Sequence, residues 1–403
     1  MQKLIINILL ISGLFLFGCS NSNPSSSDKV VLPKIKNIDK VQIKINAMSL
    51  DEKIGQLVIV GLDGFTLDNN INNLIKEHKV SGVILFSKNV DNPNQLISLT
   101  NSLKTKNSQN KIPLFISVDE EGGRVSRIPT GIKKLPSNET IGKNNDSILS
   151  YNIGKIIGEE LKTFGFNMDF APVLDINSNP NNPIIGDRSF GSSPSIVNKL
   201  GIKTMEGIMD NNIISVVKHF PGHGDTAVDS HLELPVVKKD LTKLNAFELI
   251  PFKEAIKNNA DAIMVSHILL NKIDPAYPAS MSKTVITDIL RGTLNFTGVV
   301  ITDDMTMAAI IKYIDIGEAA VKSFNAGSDI LLVCHEYDNQ LKVINSLKTA
   351  VKNKVISENR LNESVYRILK LKEKYIINND TIKSININDI NGINNKIETL
   401  IKR

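Results

Sequence analysis

The sequence predicts a (β/α)8 barrel, an α/β fold in which eight parallel strands close on themselves inside a ring of helices. Short β-branched apolar runs alternate with longer amphipathic stretches from about residue 41 to residue 376. The runs are apolar almost throughout, as strands buried on both faces must be. Polar residues collect just past their C-terminal ends, where this fold assembles its sites. An open doubly wound sheet is the alternative, but no glycine fingerprint for a dinucleotide follows the first strand.

The eight candidate strands are 56–61, 82–86, 114–119, 168–173, 215–220, 261–266, 298–303 and 329–333. Helical spacing, with apolar residues at i, i+3 and i+4, marks 69–79, 94–105, 148–164, 196–211, 241–259, 284–294 and 317–325. A Leu- and Ile-rich helix over 358–375 follows the last strand and its own helix. Residues 377–403 form an Asn/Ile/Lys-rich tail whose pattern leaves a final helix near 396–402 and a structureless end both open.

Composition narrows the class. Of 403 residues 41% are hydrophobic and 22% charged, an ordinary globular balance. Lys plus Arg minus Asp plus Glu is 47 − 42 = +5, and the positives are scattered, with no block longer than a pair such as Lys133-Lys134. That argues against a nucleic-acid groove. The two cysteines, Cys19 and Cys334, exclude a disulfide framework and a cysteine-based zinc site.

The N-terminus reads as a leader. Lys3 precedes an apolar run from Leu4 to Phe17, too short to span a bilayer, which ends in Gly18-Cys19-Ser20. This pattern resembles a bacterial lipoprotein signal over 1–18, in which Cys19 is lipidated and becomes the mature N-terminus. Phe17 stands where such signals usually carry a small residue, so an ordinary secretory leader or an uncleaved anchor is the alternative. Residues 19–40 begin Ser/Asn/Pro-rich and read as a polar tether.

On the predicted rim, strand three runs into Asp119-Glu120-Glu121-Gly122-Gly123-Arg124 and strand four is followed by Asp175. Strand five carries Lys218-His219, strand six ends at Ser266-His267 and strand seven at Asp303-Asp304. Any one of these could be a solvated strand end. Five on one rim suit a polyhydroxylated ligand, whose hydroxyls need paired donors and acceptors.

The stretch Lys218-His219-Phe220-Pro221-Gly222-His223-Gly224-Asp225-Thr226, continuing to Asp229-Ser230-His231, resembles the signature loop of family 3 glycoside hydrolases in their bacterial β-N-acetylglucosaminidase branch. Four further segments share the likeness: Val118–Val125, Asp169–Asp175, Ile185–Gly191 and Ile301–Met307. The resemblance implies a barrel that removes terminal β-linked N-acetylglucosamine with retention of configuration and with no metal or cofactor. It implies Asp303 as the nucleophile and His231, paired with Asp229, as the acid/base. It also implies Asp119, Arg127, Arg188, Lys218 and His219 as sugar-binding residues.

The chemistry fits these positions. A retaining glycosidase needs one carboxylate to form a glycosyl ester and a second group to protonate the leaving oxygen. A carboxylate two residues from an imidazole can accept its N–H and raise its basicity. Asp304 is the rival nucleophile, but neighbouring strand residues point to opposite sides, so a capping or supporting role is preferred. Asp175 and His267 could touch the sugar or brace the loop. Glu120 is expected to orient Arg or Lys neighbours, His223 to shape its loop, and Glu121 receives no role.

The reading is therefore an exported, membrane-anchored β-N-acetylglucosaminidase acting on peptidoglycan fragments, its partners a carbohydrate substrate and, through the lipid, a membrane. The length left after the barrel is too short for a second α/β domain, which favours an acid/base from the barrel's own loop. A β-glucosidase or glycoside phosphorylase on the same barrel, or a catalytically silent sugar-binding lipoprotein, are the competing functions.

Overall fold

A computed structural model of the chain describes residues 39–226, 230 and 232–402. The expected leader, Cys19, Asp229 and His231 lie outside the described residues. Eight parallel strands form a closed barrel: β1 (Val58–Gly61), β2 (Gly82–Leu85), β3 (Phe115–Val118), β4 (Met168–Asp169), β5 (Ile214–Phe220), β6 (Ala262–Val265), β7 (Val299–Asp304) and β8 (Ile330–Val333). Each pairs with its sequence neighbours, and β1 closes the ring by pairing with both β2 and β8, Ile59 standing beside Gly82 and Leu332. All four residues of β1, β2, β3, β6 and β8 are buried, which is why these strands read as unbroken apolar runs.

Every predicted strand is present, some trimmed. The run at 168–173 keeps only Met168–Asp169 as ladder, because Pro172 has no N–H to donate, and Val173 makes a lone bridge to Lys218. The predicted helix 241–259 is two helices, Leu241–Ala246 and Ile250–Lys257. The chain leaves helical geometry at Phe247, with φ −142° and ψ −79°, and Pro251 sits in the first turn of the second helix, where its missing N–H costs nothing.

Helix starts follow local chemistry. Asp68, Asn92, Asp146 and Ser357 each accept a backbone N–H at the first turn of their helices, and Ser49 with Glu52 forms a reciprocal capping box. Helices Ser147–Thr163 and Pro194–Met209 lie close because Gly154 and Gly207 face the partner backbone, and a Cβ on either would sit 2.2 Å from a carbonyl oxygen.

The C-terminal tail carries a helix, Ile387–Ile401, longer than the sequence pattern suggested. Asn386 caps it with Asp389 in a capping box, Ile393 and Ile397 are buried, and Lys396 pairs with Glu159 on helix Ser147–Thr163. Asn394 accepts the Lys133 N–H at 2.8 Å. At the N-terminal end of the barrel the buried Lys372 ammonium donates to Gln56 Oε1 at 2.9 Å, Ser81 O at 2.9 Å and Pro113 O at 2.7 Å, tying the chain entering β1, β2 and β3 to helix Glu358–Lys374.

Candidate active site

A cavity of about 260 Å3 opens at the C-terminal ends of the strands. Asp119, Arg127, Arg188, Lys218, His219 and Asp303, which the sequence assigned from four separate stretches of the chain, all line it. At its centre is a buried ionic array. Glu121 accepts Arg188 Nε at 2.8 Å and Nη2 at 2.7 Å, and its Oε1 is also 2.7 Å from Lys218 Nζ. Lys218 reaches Asp119 Oδ1 at 2.5 Å as well. Burial alone would raise the Glu121 carboxyl, but the charges of Arg188 and Lys218 hold it far below the usual carboxylate range. Burial would likewise lower Lys218, and Asp119 and Glu121 raise it instead. Glu121, Arg188 and Lys218 are thereby held in their charged forms, and the Asp119 side chain is partly exposed to the cavity and able to accept from a ligand.

The role expected of Glu120 belongs to its neighbour. Glu121 orients the two cations, whereas Glu120 turns away from the cavity and accepts the Arg127 backbone N–H at 2.7 Å. Alternation along the chain explains the exchange: one residue after Asp119 points into the barrel wall, two residues after points to the same side as Asp119. Arg127 donates Nη1 to Ser126 O at 3.1 Å, while its buried Nε has no partner among the described residues. Arg188 sits on a loop held by Arg124, whose side chain reaches Ile184 O at 2.6 Å and Asp187 at 2.8 Å.

Register slips place the strand-end residues. The β5–β6 ladder shifts between Val217 and Phe220, and consecutive Lys218 and His219 both line the cavity. The peptide between them is cis. The β7–β8 ladder shifts between Ile330 and Leu332, and both Asp303 and Asp304 line the cavity, so the expectation that they point to opposite sides fails. Their environments still separate them. Asp304 Oδ1 accepts Thr306 N at 2.9 Å and Cys334 N at 3.0 Å, and Oδ2 accepts the Thr306 hydroxyl at 2.5 Å. Its carboxylate closes the turn after β7 onto the end of β8. Asp303 Oδ1 accepts the Asp304 N–H at 2.9 Å.

Asp175 and His267 brace the site. Buried Asp175 lies 2.6 Å from His219 Nδ1 through Oδ2 and accepts the His223 N–H at 2.6 Å through Oδ1. Burial would raise its carboxyl, and the His219 imidazole beside it lowers it. His267 is held between Ser280 Oγ, 2.7 Å from Nδ1, and Asp304 O, 3.0 Å from Nε2, so it fixes the backbone of the aspartate pair. Gly224 is required where the loop crosses β4's continuation, since a Cβ there would stand 1.8 Å from Ile176 O.

The site can therefore offer a sugar a dense set of charged hydroxyl partners beside a carboxylate on a strand end. Comparison with known proteins agrees. Residues 49–371 match the model of the glycosyl hydrolase family 3 N terminal domain. The chain belongs to glycosyl hydrolase family 3. It is 39% identical over 334 residues to beta-hexosaminidase A of Pseudoalteromonas piscicida, covering 77% of this chain and 56% of that protein. It is 33% identical to a beta-hexosaminidase of Nitrosomonas eutropha, over 83% of this chain and 97% of that one. The family 3 beta-N-acetylglucosaminidase structure from Paenibacillus sp. superposes with a TM-score of 0.85 at 39% identity, covering 88% of this chain and 68% of that one.

Within this family 3 barrel the sequence left several cavity residues unread. Phe86 and His335, from the ends of β2 and β8, face each other with ring centroids 5.3 Å apart, and Met264, Met307 and Leu332 complete an apolar wall. His335 directly follows the last strand and Cys334, and the strand-end rule that found Asp303 would have found it too.

Proposed function

We propose that this chain is an exo-acting retaining β-N-acetylglucosaminidase that removes terminal β-linked N-acetylglucosamine from peptidoglycan fragments. The observation that carries the reading is Asp303 on the wall of a small cavity whose other polar lining is the Asp119–Lys218–Glu121–Arg188 array. The volume lies at the low end for ligand pockets, which suits one terminal sugar rather than a polymer lying through a cleft. The printed names of the similar proteins, beta-hexosaminidase and beta-N-acetylglucosaminidase, point to the same substrate class.

In this reading Asp119, Arg127, Arg188, Lys218 and His219 hold the sugar hydroxyls. An Asp303 carboxylate oxygen attacks the anomeric carbon, the bond to the leaving oxygen breaks, and His231 delivers its proton to that oxygen. His231 then takes a proton from water, the water oxygen attacks the anomeric carbon, and the Asp303 carboxylate is released. Asp229 accepts the other imidazole N–H and raises the basicity of His231.

The deciding measurement is release of p-nitrophenol by the form starting after Cys19 from the β-N-acetylglucosaminide and from the β-glucoside. Preference for the first supports the reading; preference for the glucoside, or no release from either, overturns it. The chain is further proposed to be an exported lipoprotein anchored at Cys19. Cys19→Ala should abolish labelling by a palmitate analogue and shift the protein out of the membrane fraction, and labelling equal to wild type would sink the anchor.

A further inference from the structure

Arg188 reaches the cavity from a connection with little regular structure. Between β4 and helix Pro194–Met209 the described chain has one helical turn, Gly186–Arg188, and Pro180 and Pro183 offer no N–H to a ladder. Side chains must therefore set its path. Asn182 is 7% exposed, and its Oδ1 accepts the N–H groups of Ile184 at 2.9 Å and Ile185 at 2.8 Å. Two backbone donors on one atom identify that atom as the amide oxygen, so the other end of the amide is the donor. Nδ2 donates to His223 O at 2.9 Å and to Thr226 Oγ1 at 3.2 Å. One buried amide thus joins the connection that carries Arg188 to the loop after β5.

The far end of that bridge is itself fixed. Buried Asp175 accepts the His223 N–H at 2.6 Å. The same two isoleucines are held from the other side by Arg124, whose Nη2 donates to Ile184 O at 2.6 Å and to Ile185 O at 3.2 Å. Ile185 O also accepts the Arg188 N–H at 2.9 Å, which closes the turn. Both N–H groups and both carbonyls of Ile184 and Ile185 are therefore engaged just before the chain reaches Arg188. The described lining of the cavity does not include Asn182, and no step proposed for sugar cleavage uses it.

We propose that Asn182 is a positioning residue: by bridging Ile184 and Ile185 to His223, it sets the backbone from which Arg188 enters the cavity. The proposal rests on the reading of Arg188 as a sugar-binding residue. Glu121 holds the tip of Arg188 through Nε and Nη2, but a tip contact alone leaves the base of a long side chain free to shift. With tip and base both set, the guanidinium meets the sugar without first being ordered, and ordering a side chain is part of the free-energy cost of binding.

The test measures kcat and KM on p-nitrophenyl β-N-acetylglucosaminide for Asn182→Ala, Arg188→Met and the double variant. Asn182→Ala should raise KM about tenfold and lower kcat less than about threefold. In the Arg188→Met background the same substitution should change KM less than about twofold, because the side chain it positions is gone. Should Asn182→Ala fold poorly by thermal melting, Asn182→Asp carries the same comparison, since it keeps the shape and the acceptor for Ile184 and Ile185 while losing the donor to His223. An unchanged KM in the single variant, a loss confined to kcat, or the same KM factor in both backgrounds would overturn the positioning role. Arg188→Met separates the two ideas: a raised KM there with no change in Asn182→Ala rejects the positioning alone, while an unchanged KM in Arg188→Met rejects the sugar-binding reading beneath it.

Discussion

Glu121 accepts both the Nε and the Nη2 of Arg188, at 2.8 and 2.7 Å, in a bidentate pair whose carboxylate is buried. The same carboxylate also holds Lys218, so one residue sets the position of two cations that face the cavity. Glu121→Gln keeps the shape but removes the charge and replaces one acceptor with a donor facing a cation. Breaking a buried pair costs several kcal/mol because the partner's charge stays behind. The variant should raise KM by about tenfold to a hundredfold, with a smaller change in kcat. Lys218, losing one of the two anions that raise it, should also lose its proton at lower pH, moving the alkaline limb of the kcat/KM profile downward. An unchanged KM would show that the array does not hold the sugar.

Asp303 and Asp304 both face the cavity, and the Asp304 carboxylate is held by Thr306 and Cys334. Asp303→Asn should lower kcat by about a thousandfold or more with the fold intact, since an amide cannot form the glycosyl ester. Asp304→Asn should cost about 1 kcal/mol of stability through its weakened turn and retain measurable turnover. A fluorinated N-acetylglucosaminyl fluoride followed by peptide mass spectrometry reads the attachment point directly. A label on Asp304 would reverse the assignment.

The barrel was legible because burial on both faces writes itself into a strand as a continuous apolar run, and because polar residues at the ends of such runs have few other reasons to recur. What escaped the sequence depends on geometry that period-two alternation does not contain. The slip between Val217 and Phe220 turns both Lys218 and His219 to one cavity, and the slip opposite Leu332 does the same for Asp303 and Asp304. The choice between Glu120 and Glu121, by contrast, follows alternation from Asp119 past the end of β3 and was open to the sequence. Helix Ile387–Ile401 was hidden because its face against Ser147–Thr163 rests on two buried residues, Ile393 and Ile397, in an Asn-rich stretch.

Lys372 closes the end of the barrel away from the cavity by donating to three acceptors in the segments before β1, β2 and β3. Its ammonium also sits 4.4 Å from the Phe115 ring centroid. Lys372→Met fills the same space but leaves Gln56 Oε1, Ser81 O and Pro113 O without this donor. Unpaired buried acceptors cost about 1–3 kcal/mol each and do not add fully, so a loss on the order of 3 kcal/mol is expected. Urea denaturation should show it as a lower midpoint, with kcat/KM per folded molecule unchanged. A midpoint equal to wild type would mean that these carbonyls find other partners.

Glu120 gives the stability of the protein a pH dependence of predictable sign. Burial pushes its carboxyl up to about 7, against the hydrogen bonds from Arg127, Ser126 and Gly122 that favour the charged form. The buried carboxyls of Asp169 and Glu160 are raised as well, burial being the largest cause for each, and each feels the Glu120 charge. A carboxyl with a raised folded pKa binds its proton more tightly in the folded state. Its stabilising contribution is therefore complete below the unfolded value of 4.5 and is lost as the pH rises through about 7. A shift of this size corresponds to about 3 kcal/mol. Glu120→Gln mimics the protonated acid and can still accept the Arg127 N–H. The unfolding free energy of wild type should fall between pH 4.5 and 7, and that of Glu120→Gln should fall less, so that the variant is the more stable of the two at pH 8. Parallel profiles for the two proteins across this window would show that Glu120 is already ionised in the folded state at pH 5.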